Sequence, residues 1–112
     1  MTNPQKTKGS AYERSIVDYL NSQGFQVERT RVGWADDRGD IHGISGFTIE
    51  CKNHKSLQLA GWLSELATEC GNANTSLGAV IHKRRGVTDG GEQYATLPLK
   101  MLVQLLKEAG YT

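Results

Sequence analysis

The sequence predicts an α/β fold, a mixed β-sheet flanked by helices, and three observations predict it. Apolar residues recur at helical spacing in three stretches, short alternating or apolar runs fall between them, and glycine or proline stands at several of the junctions. The 112 residues suit one domain, 1–112, in which residues 1–8 are expected to form a flexible lead.

The first helix is expected over residues 11–23, with Tyr12, Ile16, Tyr19 and Leu20 on one face, Ser10 as its cap, Glu13 three residues on, and Gly24 as its end. Phe25, Val27 and Arg29 then alternate with Gln26, Glu28 and Thr30 as in a strand. Residues 33–39 read as a loop. Residues 40–43 and 47–52 are short β-type runs separated by Ile44, Ser45 and Gly46, the spacing of a hairpin. A second helix is expected over residues 57–71, capped by Ser56, with Leu59, Trp62, Leu63, Leu66 and Cys70 inward and Glu65 and Glu69 outward. Residues 78–83 and 93–97 read as strands. Pro98 opens a last helix with a stripe of Leu99, Leu102, Val103 and Leu106, and Gly110 closes it.

Thirteen Lys and Arg against twelve Asp and Glu leave a net charge of +1, so any nucleic-acid surface must be local. Cys51 and Cys70, the two cysteines, lack Cys-x-x-Cys spacing and are expected as buried free thiols. No run approaches the roughly 18 apolar residues of a membrane span, and the polar first ten residues lack a signal peptide's apolar region. The expectation is a soluble, cytoplasmic protein with no membrane partner.

The chemistry gathers in the hairpin. Period two puts Thr48, Glu50 and Lys52 on one face and Phe47, Ile49 and Cys51 on the other, toward the core. A three-residue turn with Gly46 at positive φ pairs Gly43 with Phe47 and sets Asp40 opposite Glu50, their Cβ atoms about 5 Å apart. Carboxylates that close repel unless a cation lies between them, and an all-oxygen site suits Mg²⁺ or Mn²⁺. Lys52 follows on the same face. Such a set matches phosphodiester hydrolysis: the metal lowers the pKa of bound water and neutralises a phosphate oxygen, while Lys52 orients the nucleophile and stabilises developing charge. Glu13, projecting from the first helix, can join the site.

Gly39-Asp40, nine intervening residues and Glu50-Cys51-Lys52, preceded by Gly9-Ser10-Ala11-Tyr12-Glu13, resemble the PD-(D/E)xK nuclease superfamily. The likeness is closest to its archaeal-type Holliday junction resolvase branch and phage relatives, over residues 8–85. The resemblance implies a restriction-endonuclease-like fold and one or two divalent ions. It implies catalytic roles for Glu13, Asp40, Glu50 and Lys52, with Asp40, Glu50, the Cys51 carbonyl and Glu13, directly or through water, as metal ligands. Two positions depart from the pattern. Gly39 stands where the family often has proline, and a loop serine of the archaeal branch has no counterpart, Asp36 and Asp37 being alternative ligands instead.

Basic residues cluster at Lys6 and Lys8, at Arg29 and Arg31, at Lys52, His54 and Lys55, and at Lys83, Arg84 and Arg85. Of these, Lys8, Arg29, Arg31, His54, Lys55, Lys83, Arg84 and Arg85 are the expected phosphate contacts, which give affinity without sequence recognition. Trp34 is expected to pack on the sheet and Trp62 to lie in the core or at a dimer contact. His42, His54 and His82 share no metal-ligand spacing, and His82 can be a sheet residue. The expected function is a structure-selective DNA endonuclease that resolves four-way junctions by paired nicks as a homodimer, with the second or last helix as the contact. A general repair or restriction-type nuclease, or a non-catalytic DNA-binding module, remains open.

Overall fold

A parallel strand pair, covered on both faces, lies at the centre of the fold. The computed structural model describes residues 4–31 and 37–111, with side chains from residue 8 onward; Trp34 and Asp36, and the side chain of Lys6, fall outside the described residues. In chain order the elements are α1 (Pro4–Ser22), β1 (Glu28–Arg29), β2 (Ile41–His42), β3 (Phe47–Lys52), α2 (Leu59–Ala73), β4 (Leu77–His82), a 3-10 turn (Gly90–Glu92), β5 (Tyr94–Thr96) and α3 (Leu99–Glu108). The five strands form one mixed sheet in the order β1-β2-β3-β4-β5. Only β3 and β4 are parallel; the other neighbours run antiparallel. This is the α/β architecture expected, a mixed sheet with helices on its faces.

Period two sorts the two central strands. Ile49, Cys51 and Ile81 face α1 and pack with Tyr12, Ile16, Val27 and Ile41. Val80 faces the other way, into a cluster with Trp62, Leu66 and Cys70 of α2 and Met101 of α3. The parallel register pairs Glu50 with Val80 and Lys52 with His82, so these four share the α2 face. The Thr48–Glu50–Lys52 face is thus roofed by a helix: Thr48 and Glu50 are buried. Cys70 is buried as expected and Cys51 half-buried, both as free thiols.

Several local expectations are corrected. Helix α1 begins at Pro4, before the expected residue 11 and inside the expected flexible lead, because proline is well tolerated in a first turn. Ser10 therefore caps nothing; its Oγ accepts Arg29 Nη2 at 3.1 Å. The strand expected from Phe25 shrinks to Glu28–Arg29. Val27 instead exchanges both backbone hydrogen bonds with the Asn21 side chain, at 2.8 and 3.1 Å, and Phe25 is exposed. Helix α2 is preceded by Gln58 rather than Ser56 and has no side-chain cap. It ends at Asn74, whose left-handed conformation (φ 55°) returns the Thr75 amide to the Cys70 carbonyl. Glu69 does not point outward: it is buried against the sheet, since it lies seven residues after Trp62 and three after Leu66, on the buried stripe.

The hairpin forms in the expected register, with Ile41 opposite Ile49 and Gly46 at φ 78°. Pro98 precedes α3, and Gly110 follows it with φ 90°. Among the described residues no helix is long and apolar enough to cross a membrane.

Candidate functional site

Strand directions bring distant segments to one end of the sheet. The C-terminal ends of β1, β3 and β4 and the start of β2 lie along the same edge, because β1 and β3 oppose β2 while β4 follows β3. Asp40 precedes β2 here, Glu50 and Lys52 close β3, Arg29 and Arg31 leave β1, and Lys83 to Arg85 leave β4.

Asp40 is held on three sides. Its amide donates to Ile49 O at 2.8 Å, its carbonyl accepts Thr30 N at 2.9 Å, and its Oδ2 accepts Cys51 N at 2.8 Å. Gly39 makes this approach possible. Its φ is 95°, and a Cβ there would lie 2.7 Å from Ile49 O, so a side chain fits neither the space nor the backbone. Proline, locked near φ about −65°, could not stand at this position.

Glu50 is 5% exposed and lies against two other acids. Burial first, then hydrogen bonding to Asp40 and Glu69 and repulsion from both, push its carboxyl up to about 12. Glu69, 1% exposed, is also raised, by burial first and by the negative charges of Asp37, Asp40 and Glu65, against a hydrogen bond with Glu50 that lowers it. Carboxylate oxygens of Asp37, Glu50 and Glu69 lie within 4.8 Å of one another. With the acids ionised, neither Glu69 oxygen has a hydrogen-bond partner among the described residues. Oxygen-only donors, two of them buried acids that repel each other once ionised, fit a hard divalent cation of the Mg²⁺ or Mn²⁺ class, whose charge would take the place of the protons.

Lys52 donates from Nζ to Glu65 Oε2 at 2.7 Å, with its side chain 16% exposed. Burial opposes its charge, but Glu65, Glu50 and Asp40 outweigh that and raise its pKa. The amine is a lasting cation at neutral pH, suited to stabilising negative charge and unsuited to taking a proton. Glu13 stands apart from the triad. Its carboxylate pairs with Arg29 Nε at 3.6 Å, and burial and the charge of Asp40 raise its pKa.

The expected phosphate contacts divide into two groups. Arg31, His54, Lys55 and Arg85 are exposed, whereas Lys8, Arg29, Lys83 and Arg84 are half-buried. Arg29 is engaged by Glu13 and Ser10, Arg31 pairs with Glu28 at 3.8 Å, and Arg84 pairs with Glu92 at 3.3 Å. Lys83 donates to Val87 O and lies 6.0 Å from the Tyr12 ring centre. Trp62 is core, 4% exposed, between the rings of His54 and His82 at 5.7 and 5.4 Å. His82 is the buried sheet histidine, with Nε2 2.7 Å from Thr96 Oγ1.

The sequence reading brought Asp40, Glu50 and Lys52 together and named Asp37 as an alternative ligand, but it missed Glu69 and the Glu65 partner of Lys52. The available signal was the place of Glu69 on the apolar stripe of α2, where a solvent-facing carboxylate has no reason to be. A comparison with protein-family models finds no match for the chain, and a comparison with curated proteins finds no significant relative.

Proposed function

We propose that the chain is a divalent-metal-dependent DNA endonuclease of the PD-(D/E)xK type, with a restriction-endonuclease-like fold, acting on four-way junctions. The observation that carries this reading is the convergence of Asp40, Glu50 and Lys52 on a sheet edge that three basic segments also share. Open α/β sheets characteristically bind ligands at the carboxyl ends of their strands, which is where this edge lies.

In this reading Asp40 and Glu50 hold Mg²⁺ or Mn²⁺, with the Cys51 carbonyl beside them and Glu13 within electrostatic range of Asp40. An ion held there would supply an activated water and positive charge against the scissile phosphate. Asp40, tied to the Cys51 amide, keeps its carboxylate in one orientation. Lys52 exchanges Glu65 for the phosphate and donates to the oxygen on which charge grows. Arg31, His54, Lys55 and Arg85, exposed around this edge, take neighbouring phosphates. Arg29, Lys83 and Arg84 reach the DNA backbone by giving up their present partners, and half-buried Lys8 joins them.

One carboxylate site makes one incision, so resolving a junction takes two chains, and a two-fold dimer matches the junction's own symmetry. The test is a side-by-side assay of linear duplex, single-stranded, flap and four-way substrates with Mg²⁺ and with EDTA, alongside sedimentation. The expected result is Mg²⁺-dependent, symmetric nicking of the four-way substrate by a dimer. Equal cutting of duplex and junction leaves a general nuclease, and cutting of none defeats the proposal.

A further inference from the structure

We infer that Glu69 of α2 is a cation ligand, forming with Glu50 and Asp37 a site for a hard divalent ion that bridges the sheet and the helix above it. This deepens the metal-dependent reading of Glu50 given above and rests on it. The nuclease pattern confines the ligands to the hairpin and the first helix; the geometry adds a donor from the helix on the opposite face.

The first observation is the distance: one carboxylate oxygen from each of Asp37, Glu50 and Glu69 lies within 4.8 Å of the others, the span that a single ion can bridge. The second is independent of it. Glu69 is 1% exposed, and with the acids ionised neither of its oxygens has a hydrogen-bond partner among the described residues, a proton between it and Glu50 being what would join the two. A carboxylate in that condition bears a desolvation penalty that something must offset. Lys52 does not offset it, because its ammonium is turned to Glu65, one helical turn earlier on α2.

A proton shared between Glu50 and Glu69 would satisfy one oxygen of Glu69 and leave the other orphaned, while Asp37, whose Oδ1 accepts the Gly39 amide at 3.1 Å, keeps its other oxygen for a ligand. A divalent ion engages all three acids at once. Asp37 is brought to the cluster by α2 itself: Asn72 Nδ2 donates to the Asp37 carbonyl at 2.8 Å. Its side chain is exposed, so the site is open to solvent on that side while Glu50 and Glu69 form its buried wall. Three carboxylates with no nitrogen or sulfur donor select Mg²⁺, Mn²⁺ or Ca²⁺ over Zn²⁺ or Cu²⁺.

The experiment measures Mn²⁺ binding to the full chain by calorimetry and by electron paramagnetic resonance, without DNA. Wild type is compared with Glu69→Gln, Asp37→Asn and, as a control for general charge loss on α2, Glu65→Gln. The expected result is a loss of affinity of at least tenfold in Glu69→Gln and Asp37→Asn and a change within twofold in Glu65→Gln. Wild-type affinity in a folded Glu69→Gln protein overturns the inference, as does a wild-type chain that binds no Mn²⁺ at millimolar concentration. Asp37→Asn lies at an exposed position and keeps the test decisive if Glu69→Gln does not fold. A wild type that binds Mn²⁺ through Glu69 but cuts no DNA defeats the nuclease reading and leaves the cation site standing. Cleavage that needs Asp40 while Glu69→Gln retains full affinity does the reverse.

Discussion

Asp40 Oδ2 accepts the Cys51 amide at 2.8 Å, so the acid that precedes β2 is fixed to the end of β3, beside Glu50. Its position is set by backbone contacts on both sides, through Thr30 and Ile49, and does not depend on a bound ion. Substitutions that keep its shape should therefore separate chemistry from folding. Asp40→Asn, Glu50→Gln and Lys52→Ala are each expected to lower Mg²⁺-dependent cleavage by at least about 100-fold, the scale of losing one electrostatic stabiliser at a reacting centre. Circular dichroism and junction binding should remain near wild type. A folded Glu50→Gln protein that cuts at the wild-type rate would place the chemistry elsewhere.

Gly39 gives a prediction about stability. A methyl group at φ 95° and 2.7 Å from Ile49 O is strained by backbone conformation and by contact together. Gly39→Ala should destabilise the fold by about 1–3 kcal/mol, and Gly39→Pro by more. Urea unfolding measures both, and an unchanged midpoint would mean that the loop before β2 can move aside.

Removing the orphaned acid should help the metal-free protein. Glu69→Gln replaces a buried carboxylate by an amide that can donate to Glu50, and in EDTA it should gain about 1–3 kcal/mol, the usual cost of an unsatisfied buried group. Chemical denaturation with and without Mn²⁺ tests it. A Glu69→Gln protein less stable than wild type in EDTA would show that a proton shared with Glu50 satisfies Glu69 and that the carboxylate is not orphaned.

The buried imidazole of His82 sets a pH dependence. Burial lowers its pKa in the folded protein, while the unfolded chain titrates near the ordinary value of about 6.5. As pH falls through that value the unfolded state gains a proton that the folded state does not, so the contribution of His82 to stability is present above it and is lost on acidification. His82→Gln removes this contribution. The stability of wild type relative to the variant should shrink between pH 7.5 and pH 5, and the titrations of Glu13, Glu50 and Glu69, common to both proteins, cancel in the difference. A pH-independent difference would contradict the shift.

The apolar face of α3 can serve the proposed dimer. Trp62 is core and can no longer serve, whereas Leu99, Leu102, Val103 and Leu106 of α3 are 73%, 40%, 39% and 39% exposed. Leu102→Lys with Leu106→Lys should convert a dimer to a folded monomer in sedimentation and abolish paired nicking while sparing single cuts. A double variant that still sediments as a dimer moves the contact to another surface.

Much of the fold could be read locally, because each feature concerned depends on neighbours in the chain. The hairpin register follows from period two and one glycine turn, the start of α3 from Pro98, and most of the inward face of α2 from Trp62, Leu66 and Cys70, whereas Leu59 and the expected α3 stripe are exposed and Met101 is the buried residue of α3. Where reading failed, a side chain had taken the place of the expected partner. Ser10 met Arg29 instead of capping a helix, and Asn21 took the backbone bonds of Val27 that a strand partner was expected to take.

For the site, the sequence by itself placed Asp40, Glu50 and Lys52 together, since a hairpin register is fixed by the turn and the alternation on either side of it. Only the tertiary structure decided what lies above that face. Crossing from β3 to the parallel β4 lays α2 across Glu50, and this turns Glu69 from a surface charge into a buried carboxylate and makes Glu65 the partner of Lys52. The reason is physical. Which residues alternate along a strand is determined within a few residues, but which helix covers them, and which charges it brings, depends on a crossover whose ends are far apart in the chain.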